Sequence, residues 1–145
     1  MVAGGALVDE AGSIANSDVP RPDIRDNELA ITFFYYRDLA AAMTFYEEVL
    51  GLPLVIDQGW SKIYRIAGTA HVGLVDETRG MNRAHPVKPV QLCIRVKDLD
   101  AWHAYAAARG VDGLTDPKTS DELGIRVFVM NDPEGYQIEM QTATR

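Results

Sequence analysis

The chain has 145 residues, of which 47% are apolar, 24% charged and 8% aromatic, and this profile is typical of a soluble globular domain. The single cysteine can form neither an internal disulfide nor a cysteine-rich zinc site. A net charge of -7 without any basic run excludes nucleic acid as an expected partner. No apolar stretch approaches the roughly 18 residues of a membrane span, and the N-terminus lacks the positive region of a secretory signal, so we expect a cytoplasmic protein.

The composition of the chain changes near residue 28. Residues 1–27 contain no aromatic side chain, carry Gly4-Gly5, Pro20 and Pro22, and show no sustained apolar period. They are therefore predicted to form an extended N-terminal arm, which is either disordered or paired with a partner strand. Residues 28–145 are predicted to form one domain.

The first half of this domain begins with a strand and a helix. Ile31–Tyr36 is β-branched and aromatic, which favours a strand, and Asp38 is a good helix N-cap. From Leu39 to Leu50 the apolar residues follow helical spacing, and Gly51 stands where a left-handed glycine ends a helix. Three further strands are predicted at 54–56, 61–66 and 70–75.

The second half repeats this order about 60 residues later. The Asp-Leu pair that starts the first helix recurs at Asp98-Leu99, at a separation of 60, and Gly110 repeats the helix-ending glycine at a separation of 59. Strands are predicted at 90–96, 125–130 and 136–141. The repeat predicts an α+β fold of two βαβββ modules, at about 29–78 and 89–141.

Two segments of the domain carry recognisable motifs. The first consists of Arg37-Asp38-Leu39 followed by residues 45–52. The second, residues 131–140, contains an Asp-Pro-Glu-Gly turn, which predicts a hairpin between the last two strands. Through these segments, residues 29–141 resemble the vicinal oxygen chelate superfamily, which includes glyoxalase I, bleomycin-resistance proteins and extradiol dioxygenases. The resemblance implies that the two βαβββ modules form a curved, open mixed sheet around a pocket.

The resemblance also implies a divalent metal held at four positions, one on the first and one on the fourth strand of each module. These positions fall at Ile31, Gly73, Gln91 and Glu139. Only the last two offer a side-chain donor, whereas a metal enzyme site normally needs three or more protein ligands. We therefore expect no metal cofactor at these positions. A displaced metal site of His71, Gln91 and Glu139 is the alternative, because His71 shares a strand face with Gly73.

Strand alternation predicts the wall of the pocket. On the first strand of the first module, the face that carries Ile31 also carries Phe33 and Tyr35. On the first strand of the second module, the face that carries Gln91 also carries Arg95. The residues predicted to contact the ligand are therefore Phe33, Tyr35, Gln91 and Arg95. Trp60 and Tyr64 are predicted to share a face of a neighbouring strand, where they either stack on an aromatic ligand or fill the core. Cys93, on the same face as Gln91, is predicted to be an inert buried thiol. This wall suits a small, partly apolar ligand, with Arg95 available for a carboxylate or enolate oxygen.

Glu139 is the candidate general base, because a carboxylate that loses solvation against an apolar wall can accept a proton near neutral pH. The alternative is that Glu139 is ionised and pairs with Arg95 or Gln91. His71 is the candidate for a second acid or base.

Two functions follow from the resemblance. One is a lyase or isomerase that acts on a small oxygenated, partly apolar substrate without the four-ligand metal site. The other is a binding protein of the bleomycin-resistance type that sequesters a planar aromatic compound without turnover. Relatives of this size usually pair so that modules of different chains complete each cavity, which implies a homodimer.

Overall fold

The computed structural model describes residues 18–145 together with the backbone of Ala6–Val8 and Ile14–Asn16. Ala6–Val8 (β1) and Ile14–Asn16 (β2) pair antiparallel with each other. A single 3-10 turn, Ile24–Asp26, follows, with Asp23 as its N-cap. Residues 1–5, 9–13 and 17 of the predicted arm lie outside the described residues, and the pairing of the arm with a partner strand stays a prediction.

The first module forms a four-stranded sheet with one helix. Its strand order is β3-β6-β5-β4, in which β3 and β6 are parallel and the other pairs antiparallel. Its elements are β3 (Ala30–Tyr36), α1 (Leu39–Thr44), β4 (Leu54–Asp57), β5 (Ser61–Ala67) and β6 (Ala70–Asp76).

The second module repeats this topology. Its strand order is β7-β10-β9-β8, with β7 parallel to β10. Its elements are β7 (Gln91–Arg95), α2 (Leu99–Ala108), β8 (Lys118–Ser120), β9 (Ile125–Asn131) and β10 (Gln137–Ala143). The prediction of two βαβββ modules with open mixed sheets is thus confirmed. The sequence did not predict β8, because three polar residues are too few to show a period.

Both helices begin at the predicted residues, and the predicted glycines follow the two helical segments. The Asp38 and Asp98 side chains accept hydrogen bonds from the backbone N–H groups three residues later, at 3.0 and 3.1 Å. Gly51 and Gly110 have φ of 71° and 66°, the left-handed conformation that ends a helix. The first predicted helix continues past α1 as a π-helical turn, Phe45–Val49.

One hydrophobic core joins the two modules beneath their helices. Along β3, Phe34 and Tyr36 point into this core, and the Phe34 ring stacks on Tyr136 of the second module at a centroid distance of 4.2 Å. Further core residues from both modules are Tyr46, Tyr64, Val72, Leu74, Leu99, Phe128, Met130, Ile138 and Met140. Because β side chains alternate, the opposite face of each sheet is left open.

The Asp-Pro-Glu-Gly turn connects the modules as well as β9 and β10. Asp132 is 2% exposed, and its Oδ2 accepts hydrogen bonds from the hydroxyls of Tyr36 (2.5 Å) and Tyr46 (3.0 Å) in the first module. Burial raises the pKa of Asp132 despite these bonds. Glu134 accepts hydrogen bonds from the backbone N–H groups of Arg37 and Asp38, just before α1. The motif therefore holds the two modules together, a role that the turn chemistry alone did not predict.

Candidate functional site

The open face of the first sheet carries Ile31, Phe33 and Tyr35. Strand pairing places Phe33 beside Gly73 of β6 and Tyr35 beside Val75. A Cβ atom on Gly73 would lie 2.4 Å from Cδ1 of Phe33, so the phenyl ring lies directly over the glycine. Only glycine at this position leaves room for the ring.

Aromatic side chains surround a cavity of about 170 Å³ on this face, which we call the aromatic pocket. Three of the predicted ligand-binding residues, Phe33, Tyr35 and Trp60, come together there. The pocket is lined by Phe33, Tyr35, Gln58, Trp60, Ser61, Val75, Gly80 and Met81. Sequence reasoning missed Gln58 and Ser61, for which strand alternation around Gly59 gave no reliable signal.

The loop after β6 forms the rim of the aromatic pocket. Gly80 packs so closely against Val75 and Tyr35 that an added Cβ would lie 2.5 and 2.9 Å from their side chains. Arg83 Nη1 holds the loop in shape by donating to the carbonyl oxygens of Glu77 (2.6 Å) and Gly80 (3.1 Å). The loop is therefore a hydrogen-bonded wall of the pocket.

Tyr64 does not line the pocket, and the prediction that it shares a face with Trp60 is wrong. Tyr64 is fully buried in the core, where its hydroxyl donates to Glu47 at 2.7 Å. Trp60 precedes β5 and follows Gly59, whose φ is 80°, so the alternation of the strand does not extend back to it. Of the two proposed roles for Tyr64, the structure supports the core.

The open face of the second sheet is polar. Side chains of the parallel strands β7 and β10 bond in pairs: Gln91 to Gln137 (2.5 Å), Cys93 to Glu139 (3.2 Å) and Arg95 to Gln141 (2.6 and 2.9 Å). We call these six residues the polar ladder. Glu139 Oε2 also accepts a hydrogen bond from Gln141 at 2.8 Å. Thus neither of the expected partners of Glu139, Arg95 or Gln91, bonds to it; both bond to glutamines instead.

Cys93 is exposed, so the prediction of a buried thiol is wrong. Partial desolvation, together with the hydrogen bond to Glu139 and its negative charge, raises the pKa of Cys93 to about 11. The thiol is therefore protonated at neutral pH, where it is a weak nucleophile.

His71 lies on β6 of the first sheet, whereas Glu139 lies on β10 of the second. His71 is buried, its Nδ1 lies 2.8 Å from the Thr69 carbonyl oxygen, and it lines a cleft of about 290 Å³ between the sheets with Cys93 and Arg95. Within residues 18–145, no three His, Cys, Asp or Glu side chains are grouped to hold a metal ion. The displaced set of His71, Gln91 and Glu139 contains a glutamine, so this observation does not test it and the set stays a prediction.

The four implied metal positions can be checked by strand pairing. Gly73 pairs with Phe33 in the first module as Glu139 pairs with Cys93 in the second, so the two positions are structurally equivalent. Ile31 and Gly73 have no donor atom, and the Phe33 ring covers Gly73. Two of the four ligands are thus missing and a divalent metal does not fit this set.

These features match a known family. The sequence pattern of the Glyoxalase/Bleomycin resistance protein/Dioxygenase superfamily matches residues 28–140, and the chain belongs to this superfamily. No curated protein sequence matches the chain.

Solved structures share the fold. Lactoylglutathione lyase from Agrobacterium tumefaciens is 22% identical, with a TM-score of 0.64 over 80% of this chain and 93% of its own. TnmS3, an antibiotic-binding protein from a Streptomyces species, is 24% identical, with a TM-score of 0.65 over 83% of this chain and 99% of its own. The fold thus occurs both in an enzyme and in a binding protein. In the part of this chain that the structure describes, no helix is long and apolar enough to cross a membrane.

Proposed function

We propose that this protein binds a small, planar aromatic compound in the aromatic pocket without chemical turnover. The proposal rests on the position of the Phe33 ring over Gly73. The ring covers an implied metal position with an apolar surface, which forms the base of the pocket. Tyr35 and Trp60 supply further ring surface around the same cavity. Aromatic side chains of this kind bind planar ligands by stacking and by apolar burial.

The residues around the aromatic pocket favour binding over catalysis. Of the described residues that line it, none is an Asp, Glu, His, Lys or Arg, so the lining has no carboxylate, imidazole or amine to act as a general base. Glu139 belongs to the other sheet, where Cys93 and Gln141 already donate to it. The antibiotic-binding protein among the structural neighbours supports the proposal, since it shows one use of this fold.

A fluorescence experiment tests the proposal, because the chain has only two tryptophans. In Trp102→Phe, the remaining Trp60 should be quenched saturably by nitrobenzene, an aromatic probe that quenches indole. Phe33→Ala in the same background should weaken binding by about tenfold, since it removes the floor of the pocket. The matched control is Trp60→Phe, in which Trp102 should show only a quench proportional to probe concentration. Proportional quenching of Trp60, or saturable quenching of Trp102 alone, would contradict the proposal.

A second candidate function is a lyase or isomerase in which Glu139 moves a proton on a small oxygenated substrate. The observation in its favour is that Glu139 lies on an open sheet face, beside Gln141 and close to the Arg95 guanidinium that Gln141 also contacts. In that case Glu139→Gln should keep ligand affinity and lower turnover by about 10² or more. His71, whose Nδ1 bonds to the Thr69 carbonyl, would be the second acid or base through Nε2.

We further propose that the protein is a cytoplasmic homodimer that needs no cofactor and binds no nucleic acid. The acidic net charge of -7 disfavours nucleic acid. Exposed apolar side chains at the rim of the aromatic pocket, Phe33 (42% exposed) and Met81 (95%), favour a covering second copy. Light scattering that returned the monomer mass at micromolar concentration would contradict the dimer.

A further inference from the structure

One polar atom in the aromatic pocket has no partner. The Ser61 side chain is buried, with the residue 3% exposed, and its Oγ has no hydrogen-bond partner among the described residues. Ser61 pairs with Val75 across the sheet, and Val75 pairs with Tyr35, so the three side chains share the open face. All three residues line the aromatic pocket, and the Ser61 Oγ lies buried within its wall.

A buried hydroxyl without a partner is unfavourable. Leaving such a group unsatisfied gives up the hydrogen bonds that it makes to water in the unfolded chain, and most buried polar side-chain atoms in folded proteins are bonded. The backbone of Ser61 is already satisfied in part, because its carbonyl accepts from Gln58 N at 2.9 Å. Alanine would fill this position without leaving an unsatisfied hydroxyl. The presence of serine therefore favours a hydrogen-bond partner that enters the pocket.

We infer that Ser61 is a specificity-determining residue, and that the ligand is an uncharged single aromatic ring bearing an oxygen substituent that hydrogen-bonds to Ser61 Oγ. This inference rests on the proposed function and names its ligand class, which includes phenols and aryl carbonyls. A serine hydroxyl serves both, since it accepts from a phenol and donates to a carbonyl.

The size and polarity of the pocket define this ligand. An apolar cavity of about 150 Å³ holds one benzene molecule, so a cavity of about 170 Å³ has room for one ring and a small substituent. None of the described lining residues is charged. The nearby Arg79 guanidinium lies over the Trp60 ring, 5.8 Å from its centroid, and is not part of the lining. An ionised carboxylate would therefore lose its hydration without gaining a counter-charge from the lining residues, which favours a neutral ligand.

Calorimetric titration with toluene and phenol tests the inference, because the two probes have nearly the same shape and differ in one oxygen. Ser61→Ala should weaken phenol binding by about tenfold, the loss of one hydrogen bond, while toluene binds as well as before or more tightly. Ser120→Ala, in the second sheet, is the matched control and should change neither affinity. Acetophenone should show the same dependence on Ser61 if the hydroxyl donates.

The outcomes separate this inference from the proposed function. If toluene and phenol both fail to bind the wild-type protein, the aromatic pocket is not a binding site and both proposals are wrong. If both bind and Ser61→Ala weakens neither phenol nor acetophenone, only the role of Ser61 is wrong. Thermal unfolding supplies an independent check: Ser61→Ala should unfold at no lower temperature than the wild type, because it removes an unpaired hydroxyl. A clear drop would show that the hydroxyl is already bonded in the folded protein and would overturn the inference.

Discussion

The open faces of the two sheets have the same backbone and opposite chemistry. Equivalent positions of the two modules pair in the same register, yet the first sheet has apolar side chains where the second has polar ones. Five equivalent pairs show this difference: Ile31 and Gln91, Phe33 and Cys93, Tyr35 and Arg95, Gly73 and Glu139, and Val75 and Gln141. The sixth pair, His71 and Gln137, is polar in both sheets. The topology of the module therefore determines the position of each side chain, and the types of side chain at these positions determine which ligands the face can bind.

The two faces also differ in how their polar groups are satisfied. In the second sheet the polar ladder bonds to itself, with each β7 side chain joined to its β10 neighbour. In the first sheet the Ser61 hydroxyl has no partner among the described residues, and aromatic rings surround it. A ligand thus gains more on the first face, because on the second it would have to break existing hydrogen bonds.

The largest effect is expected where the modules are joined. Asp132→Ala leaves the buried hydroxyls of Tyr36 and Tyr46 without their shared acceptor. The Tyr36 hydroxyl can still donate to Tyr46, whereas Tyr46 and the backbone N–H groups of Glu134 and Tyr136 lose their acceptor. At about 1–3 kcal/mol for each unsatisfied group, we expect a loss of about 3 kcal/mol in the free energy of unfolding, measured by urea denaturation. If the faces act independently, any ligand binding that remains in the folded fraction should keep its affinity.

Two variants control this prediction. Asp132→Asn keeps an acceptor for the tyrosines and avoids burying a charge, so it should lose less stability than Asp132→Ala. Asp116→Ala, at an exposed position, should change the free energy of unfolding by less than about 0.5 kcal/mol. An Asp132→Ala protein as stable as the wild type would show that the core joins the modules without this carboxylate.

Gly73→Ala tests whether the apolar face of the first sheet depends on the close contact between Gly73 and the Phe33 ring. The new methyl group would lie 2.4 Å from the Phe33 ring, which must move. Overpacking of this kind costs about 1–3 kcal/mol, and displacement of the ring should weaken binding of nitrobenzene by about tenfold.

A double-mutant cycle isolates the contact between Gly73 and Phe33. In a Phe33→Ala background, Gly73→Ala should cost little stability, because the ring that it displaces is already absent. Equal costs in both backgrounds would mean that Gly73 is required for the strand itself rather than for the ring.

The sequence predicted the fold well because helix caps and apolar periods are local signals. Asp38, Gly51 and their repeats at Asp98 and Gly110 placed both helices. The phase between the two halves then predicted the module topology, which the structure confirms. The short strand Lys118–Ser120 escaped detection because its residues are polar and few.

The site was less predictable because it depends on contacts between distant segments. Alternation placed Phe33 and Tyr35 on the open face. It also placed Tyr64 beside Trp60, but Tyr64 is buried, because the turn at Gly59 separates Trp60 from the alternation of β5. The hydrogen bonds from Tyr36 and Tyr46 to Asp132 span about ninety residues of sequence and have no local signature. Only the folded chain shows which polar groups find partners.

The smallest expected effect sharpens the description of the polar ladder. The pKa of Cys93 is raised to about 11 by desolvation first and by Glu139 second. Glu139→Gln removes the negative charge and the acceptor carboxylate but leaves the desolvation, so the pKa of Cys93 should fall while staying above its usual value. Because Cys93 is the only cysteine, the pH dependence of alkylation by iodoacetamide measures this pKa directly.

The same pKa predicts a sign for stability. A thiol whose pKa is higher in the folded protein than in the unfolded chain holds its proton more tightly when folded. Its contribution to the free energy of unfolding is therefore present below about pH 9 and is lost as the pH rises through 11. Urea denaturation across this range should therefore show a steeper loss of stability in the wild type than in Glu139→Gln. Identical alkylation profiles for the two proteins would mean that Glu139 does not interact with the thiol, and the ladder would then lack its central pair.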